Sequence, residues 1–496
     1  MPPRLRVLLI ASEVAPFAKT GGLADVAGAL PRALLGLGHD VRILLPKYRG
    51  AEAHAGETRL VVPNIRVPLG DRSAEGALLE GRAPSGVPVY LLEHEHYYNR
   101  DSLYGTAAGD YWDNCERFVF FCRAALEGLI RLDGARPGTR WQPQVIHAND
   151  WQTGLVPVYL HTLYRDHPLL GGLATLFTIH NLAYQGVFWH YDMPMTGLGW
   201  DLFTPAGIEF YGKLNFLKAG LVFADLLTTV SRTYAREIRT AAFGNALEGV
   251  LEERSQDLHG VINGLDYETW NPRKDPALAH PFSAEDPEPK AICRESLRQE
   301  LGLAHAPGPV LGVVARLAEQ KGMDLVLEAL PGLLEEGCQL VVLGSGDARL
   351  EEAFRAAAAA HPERVAVRIG YDDDLARRIY AGTDAFLMPS RYEPCGLGQL
   401  IALRYGNAPI VRRTGGLADT VTEFDPARRT GTGFVFDAFS PEALLSAVRR
   451  AASTYRQPAV WKALVRNAMA EDFSWDASAR EYVTLYRKAI KARSAR

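Results

Sequence analysis

The sequence has little of what staples, anchors or strongly charges a protein. Its five cysteines, Cys115, Cys122, Cys293, Cys338 and Cys395, are scattered over 496 residues with no C-x-x-C pair. That argues against a disulfide framework or a zinc site and for a reducing, cytoplasmic setting. No apolar run approaches the ~20 residues that a bilayer requires, so no membrane-spanning segment is expected. The apolar stretch at 7–11 is shorter than the core of a secretion signal and runs into Glu13, so it reads as a first strand. No dense Lys/Arg block occurs and the net charge is only −4, which disfavours a nucleic-acid partner. Low-complexity tracts are missing as well. What remains, 47% apolar and 23% charged, is the composition of an ordinary globular enzyme in a chain too long for one core.

The pattern along the chain is α/β. A strand at 6–11, a loop with Gly21 and Gly22, a helix at 23–37 stopped by Gly38 and a strand at 41–45 form a βαβ unit. Segments at 61–69, 76–81 and 87–93 read as an antiparallel insertion, followed by a helix at 114–131. Strands at 145–148, 174–179 and 226–230 continue the alternation. Turn formers then crowd HGVINGLDYETWNPRKDP, beginning at His259, and place a hinge near Gly260. Beyond it, strands at 310–315, 339–344, 365–369, 385–388 and 408–411 alternate with helices starting near Met323, Ala348, Asp374 and Gly398. The expectation is two doubly wound domains, 1–260 and 261–474, facing a cleft, with a final helix at 475–496 crossing back to the first.

Candidate chemistry gathers at strand ends. In PSRYEPCGLGQL, a strand leads to Glu393, then to Cys395, Gly396 and Leu397 at a helix start. Backbone N–H groups there can hold a phosphate without a metal, while Glu393 suits the hydroxyls of a sugar attached to it. Arg316 and Lys321 follow the first strand of the second half and suit a diphosphate, the alternative being a solvated charged loop. In the first half His180 and Asn181 follow one strand, and His147 and Asp150 sit at the end of another. TGGLADV from Thr20 is echoed by TGGLADTV from Thr414, which suggests one ligand-facing glycine loop per domain. Asp372–Asp374 fit a helix start better than a metal site, His94 and His96 lack a third zinc ligand, and Cys395 has no local base.

Taken together, KTGGLADV, HANDWQTGL, TIHNLAYQG, VINGLDYETWNP, ARLAEQKG, RYEPCGLGQL and RTGGLADTV resemble the bacterial glycogen synthase and plant starch synthase family over nearly the whole chain. The resemblance implies a GT-B fold and retaining transfer of glucose from ADP-glucose to the non-reducing 4-OH of an α-1,4-glucan, such as glycogen or a malto-oligosaccharide. It implies no metal or other cofactor. It assigns Glu393, His180, Arg316, Lys321 and Asp150 to catalysis. Substrate binding would fall to Lys19, Gly21 and Gly22 near the phosphates, Asn181 and Asn263 in the sugar pocket, Tyr371 on adenine, and Cys395, Gly396 and Leu397 at the helix start. Tyr98 resembles a residue closing the site from the first domain. The sequence departs from the family pattern at Ala24 and Asn149, where Gly and His are frequent, and at Gly398, where some members carry a hydroxyl residue; the E-x7-E motif of a neighbouring glycosyltransferase class is absent, because Ile401 stands at its second Glu position. A UDP-glucose-dependent relative and a non-catalytic glucan-binding protein are the competing readings.

Overall fold

A computed structural model describes residues 3–106, 108–134 and 141–495. The chain divides into two compact units. The first comprises 1–230, 235–264 and 475–496; the second comprises 231–234 and 265–474.

The first unit is built on a nine-stranded sheet. Its strands are β1 (Arg6–Ile10), β2 (Asp40–Pro46), β3 (Arg59–Leu69), β4 (Arg72–Arg82), β5 (Pro88–Glu93), β6 (Val145–Asn149), β7 (Ala174–Ile179), β8 (Leu226–Thr229) and β9 (Leu258–Gly260). They lie in the order β9-β8-β7-β6-β1-β2-β5-β4-β3. Parallel pairing runs from β9 to β5, and only β5-β4-β3 is antiparallel. The segments expected as an antiparallel insertion therefore extend the main sheet, because β5 pairs in parallel with β2. β1 is a nearly continuous apolar run, and every residue of β6 is buried although it includes His147 and Asn149, because both faces of these strands are covered.

Helix α1 (Gly22–Gly36) buries Leu23, Val26, Ala27, Leu30 and Leu34, the spacing of one helical face, against the β1-β2 region. Gly38, at φ +86°, lets the chain reverse into β2. Helix α2 (Asn114–Gly134) packs against β3.

The second unit holds a six-stranded sheet of β10 (Val310–Val314), β11 (Gln339–Gly344), β12 (Val365–Ile369), β13 (Ala385–Met388), β14 (Ala408–Arg412) and β15 (Phe434–Phe436). All pairs are parallel, in the order β12-β11-β10-β13-β14-β15. The helices that matter for the site are α3 (Lys290–Leu301), α4 (Asp373–Gly382), α5 (Gly398–Arg404) and α6 (Gly415–Thr420).

The last helix, α7 (Trp475–Ser494), belongs to the first unit. It buries Trp475, Tyr482, Tyr486 and Ala489 in the core shared by α1, β1 and β2. No helix among the described residues is long and apolar enough to cross a membrane.

Candidate active site

In each unit the parallel part of the sheet reverses its strand order once. Loops on either side of such a reversal diverge and leave a crevice at the carboxyl ends of the strands. In the first unit the reversal lies between β1 and β6, and in the second between β10 and β13.

At the second-unit crevice, the loop after β10 carries Arg316 and Lys321, and the loop after β13 carries Glu393. Lys321 Nζ donates to Glu393 Oε2 at 2.5 Å and Ser390 Oγ donates to the same oxygen at 3.1 Å. Glu393 is buried, so its charge is compensated by the cation expected to serve a phosphate. Arg316 is exposed, and its guanidinium donates to Gln320 Oε1 at 2.8 Å. The two loops approach closely because Gly322 has no side chain. It sits at φ +71°, and a Cβ there would lie 2.2 Å from Pro389 O. Gly396, at φ +76°, turns the chain from Cys395 into Leu397 and α5. Tyr371 stands 89% exposed after β12, its hydroxyl 3.4 Å from Asp373 Oδ1.

The echoed TGG loop plays a different part from the one its letters suggest. Thr414, Gly415 and Gly416 are buried, and Gly416 N–H donates to the carbonyls of Glu393 and Pro394 at 3.1 and 3.2 Å. Ser231 Oγ donates to Pro394 O at 2.5 Å. These contacts support the Glu393 loop from beneath rather than presenting amides to a ligand.

At the first-unit crevice the organiser is Glu13, which the sequence reading used only to end a strand. Its carboxylate accepts from Thr20 N–H at 2.5 Å, Thr20 Oγ1 at 2.7 Å, Gly21 N–H at 3.2 Å and Tyr104 OH at 2.8 Å. Gly21 and Gly22 are thereby held exposed at the start of α1. Lys19 Nζ is paired with Asp25 at 2.7 Å and stays about half exposed. The acidic position after the first strand, seven residues ahead of the TGG loop, was the signal available in the sequence.

Asp150 has φ +56° and ψ 179°, a backbone conformation that ordinarily belongs to glycine and costs about 1–3 kcal/mol. The strain is offset locally: Asp150 N–H donates to Thr178 O at 2.9 Å, and its carboxylate accepts His180 N–H at 2.7 Å. Burial pushes this carboxyl up to about 7, against backbone hydrogen bonds from His180 and Asn181 and with Glu13 nearby adding to the rise. Burial holds the His180 imidazole down to about 3, so it is neutral.

Asn149 decides which nitrogen of His180 carries the proton. Its amide Nδ2 donates to Ile10 O at 3.1 Å and His147 O at 3.2 Å, which leaves Oδ1 to accept from His180 Nε2 at 3.0 Å. His180 is therefore an Nε2–H tautomer with Nδ1 as its acceptor. Asn263 is buried with its side-chain oxygen unpaired, a place where a hydroxyl donor would be welcome. His147, in contrast, is core: Nδ1 meets Tyr486 OH at 3.0 Å and Nε2 meets Thr178 Oγ1 at 2.6 Å.

One site assignment is overturned. Tyr98 is fully buried, donates to Arg117 O at 3.1 Å and packs on Tyr48 and Phe120, so it has no surface to offer a substrate. Asp372 caps α4, accepting Leu375 N–H at 2.8 Å. His94 caps a short helix at Glu95–Tyr98 and stacks on Tyr97. Among the described residues no group of three or more His, Cys, Asp or Glu is placed to hold a metal ion. Cys395 is buried, with Gly416 packed on its carbonyl.

Residues 6–253 match the starch synthase catalytic domain family, and residues 294–467 match glycosyl transferases group 1. A glycogen synthase of Syntrophotalea carbinolica is 52% identical over 98% of this chain and 99% of its own length. One from Anaeromyxobacter dehalogenans is 50% identical over 99% of this chain and 100% of its own. The structure of the catalytic domain of starch synthase IV from Arabidopsis thaliana, bound to ADP and acarbose, superposes with a TM-score of 0.88 at 34% identity, covering 99% of this chain and 100% of that one. A sucrose-phosphate synthase from Thermosynechococcus elongatus, at 18% identity and a TM-score of 0.59 over 99% of this chain and 100% of its own, shares the fold alone. By full-length identity and by both family matches, the chain belongs to the glycogen and starch synthase family, glucosyl-transferring enzymes of the GT-B fold.

Proposed function

We propose that the chain transfers glucose from ADP-glucose to the non-reducing 4-hydroxyl of an α-1,4-glucan, with retention at the anomeric carbon. The observation that carries this reading is the Arg316, Lys321 and Glu393 arrangement at the β10/β13 reversal, cations for a pyrophosphate beside a carboxylate for sugar hydroxyls. The ADP and acarbose bound to the starch synthase IV domain support the donor and acceptor classes.

In the reaction the bond from C1 to the β-phosphate oxygen breaks, a bond from C1 to the acceptor O4 forms, and the acceptor proton passes to the departing phosphate. Arg316 and Lys321 stabilise the charge that grows on that phosphate. Cys395, Gly396 and Leu397 serve the sugar and phosphate through backbone N–H groups, and Tyr371 provides a face for adenine. His180 Nδ1 accepts from a glucose hydroxyl, and Asn181 and Asn263 complete the sugar contacts.

Attack takes place on the face from which ADP departs. Glu393 is committed to Lys321 and Asp150 to the His180 backbone, which leaves neither poised as a nucleophile. A glucosyl adduct trapped on any carboxylate would overturn that step. No metal takes part, so activity persists in EDTA; strict Mg²⁺ dependence would contradict this.

The test of the whole reading is incubation with glycogen and either ADP-glucose or UDP-glucose, with released nucleotide measured. Chain extension with ADP-glucose at the higher kcat/KM is expected, and preference for UDP-glucose would replace the donor assignment.

A further inference from the structure

The loop that carries Glu393 is gripped a second time, upstream of its contacts with Gly416 and Ser231, by a residue with no place in the site described so far. Arg412 is the last residue of β14, where it pairs with Phe436 of β15 at the carboxyl end of the sheet. Its side chain is half-buried and reaches two loops. Nε donates to Asp437 O at 3.0 Å, and Nη1 donates to Arg391 O at 2.6 Å with Ser390 O at 3.5 Å. One guanidinium thus ties the Glu393 loop to the loop after β15. Arginine suits this task because its donors form a planar, always-charged fork that can serve carbonyls of two chain segments at once.

The grip reaches the carboxylate in one further step. Ser390, whose carbonyl faces Arg412, donates through Oγ to Glu393 Oε2 at 3.1 Å. Arg391 is fixed from both sides, its N–H donating to Gln320 O at 2.9 Å and its carbonyl accepting from Arg412. The Arg391 guanidinium lies 4.0 Å from the centre of the Phe439 ring and donates through Nε to Glu319 O at 3.2 Å. Glu393 therefore sits between two braces. Arg412 holds the carbonyls of Ser390 and Arg391 ahead of it, while Gly416 and Ser231 hold the carbonyls at Glu393 and Pro394. The backbone N–H groups of Cys395, Gly396 and Leu397 lie beyond the second brace. Because Arg412 commits these donors to carbonyls, it acts on the loop, whereas Arg316 and Lys321 stand ready for a ligand.

We propose that Arg412 is a positioning residue for glucosyl transfer, holding Ser390 and Arg391 so that Glu393 is aimed at the donor sugar. The proposal rests on the role given above to Glu393 as the carboxylate for the sugar hydroxyls. A residue acting in this way matters to the glucosyl group and not to the nucleotide, which separates it from a residue that merely supports the fold.

The experiment compares wild type with Arg412→Met, Arg412→Lys and Glu393→Ala. Steady-state release of ADP from ADP-glucose in the presence of glycogen gives kcat and KM, and calorimetry gives the Kd of ADP alone. Arg412→Met is expected to lower kcat about tenfold, the effect of slackening one oriented group, and to leave the Kd of ADP within about twofold of wild type. Retained ADP binding also reports a folded second unit. Arg412→Lys, which keeps the charge and the stem, is expected to fall between Arg412→Met and wild type. Wild-type kcat in Arg412→Met beside an impaired Glu393→Ala would overturn the positioning role and leave the reading of Glu393 intact. Loss of ADP affinity in step with kcat would make Arg412 a support of the fold alone and overturn the role as well. Normal turnover in Glu393→Ala would remove the reading of Glu393, and the role of Arg412 with it.

Discussion

At the scale of single residues, the site is a set of charges held by burial and by backbone. Removing either cation at the β10/β13 reversal, Arg316→Ala or Lys321→Ala, is expected to lower kcat by roughly 10², the effect of deleting one donor to developing charge. Near-normal turnover in steady-state assays would remove that role. Lys321→Ala also strands buried Glu393, so this variant alone should lose stability. Asp150 supplies a pH signature. Its folded value of about 7 lies above the ordinary aspartate range, so its contribution to stability is present in acid and is lost as pH rises toward 7. Asp150→Asn cannot ionise. Relative to wild type it should gain about 4 kcal/mol between pH 4 and pH 8 in urea titrations of the first unit. A pH-independent difference would count against the burial argument. His147 and His180 have the opposite sign: with folded values near 3, their contributions are present above about 6.5 and lost as pH falls toward 3. The Asp150 and His180 positions were legible in the sequence because both sit at strand ends. The acidic position of Glu13 was visible there but its part was not, nor was that of Asn149, since the groups each one holds, Thr20, Gly21 and Tyr104 for Glu13 and Ile10 and His180 for Asn149, meet it only in the folded loops.

At the scale of elements, the Glu393 loop is shaped from below by α6. A Cβ on Gly416 would lie 2.0 Å from Cys395 O, so Gly416→Ala must displace the loop. The expected result is a loss of about 1–3 kcal/mol in thermal or urea unfolding of the second unit together with a fall in kcat of tenfold or more. Unchanged kcat in a destabilised variant would show that the contact supports the fold alone. The two TGG loops carry a lesson about reading motifs. The same letters start α1 and α6, yet one pair of glycines is exposed over Glu13 and the other is buried under Glu393. Helix-start chemistry is local and therefore legible; burial is set by neighbours distant in the chain. For the same reason strands such as Gln339–Gly344 and Val365–Ile369 match their expected limits, whereas β9 and β15, three residues each, carry too little pattern to stand out.

At the scale of the whole molecule, the last helix completes the first unit although all of the second unit precedes it in sequence. Tyr486 meets His147, and Ser478 Oγ donates to Ile262 O at 2.7 Å. Ending the chain after Ser474 would expose the α1-β1-β2 core and leave His147 without its hydroxyl partner. Rapid proteolysis and loss of hydrogen-exchange protection are expected in the first unit, with the second protected for longer. Equal protection of both units would show that α7 is dispensable. The amino-acid order alone determined the doubly wound class, the strand and helix succession and most of the residues at the strand ends, because hydrophobic period and turn chemistry are properties of neighbouring residues. Tertiary structure decided that Tyr98 is core, that Lys321 is already paired with Glu393 and that Asn149 sets the His180 tautomer. Each of these depends on groups far apart in the chain meeting across a loop or sheet edge, and no local pattern records such a meeting.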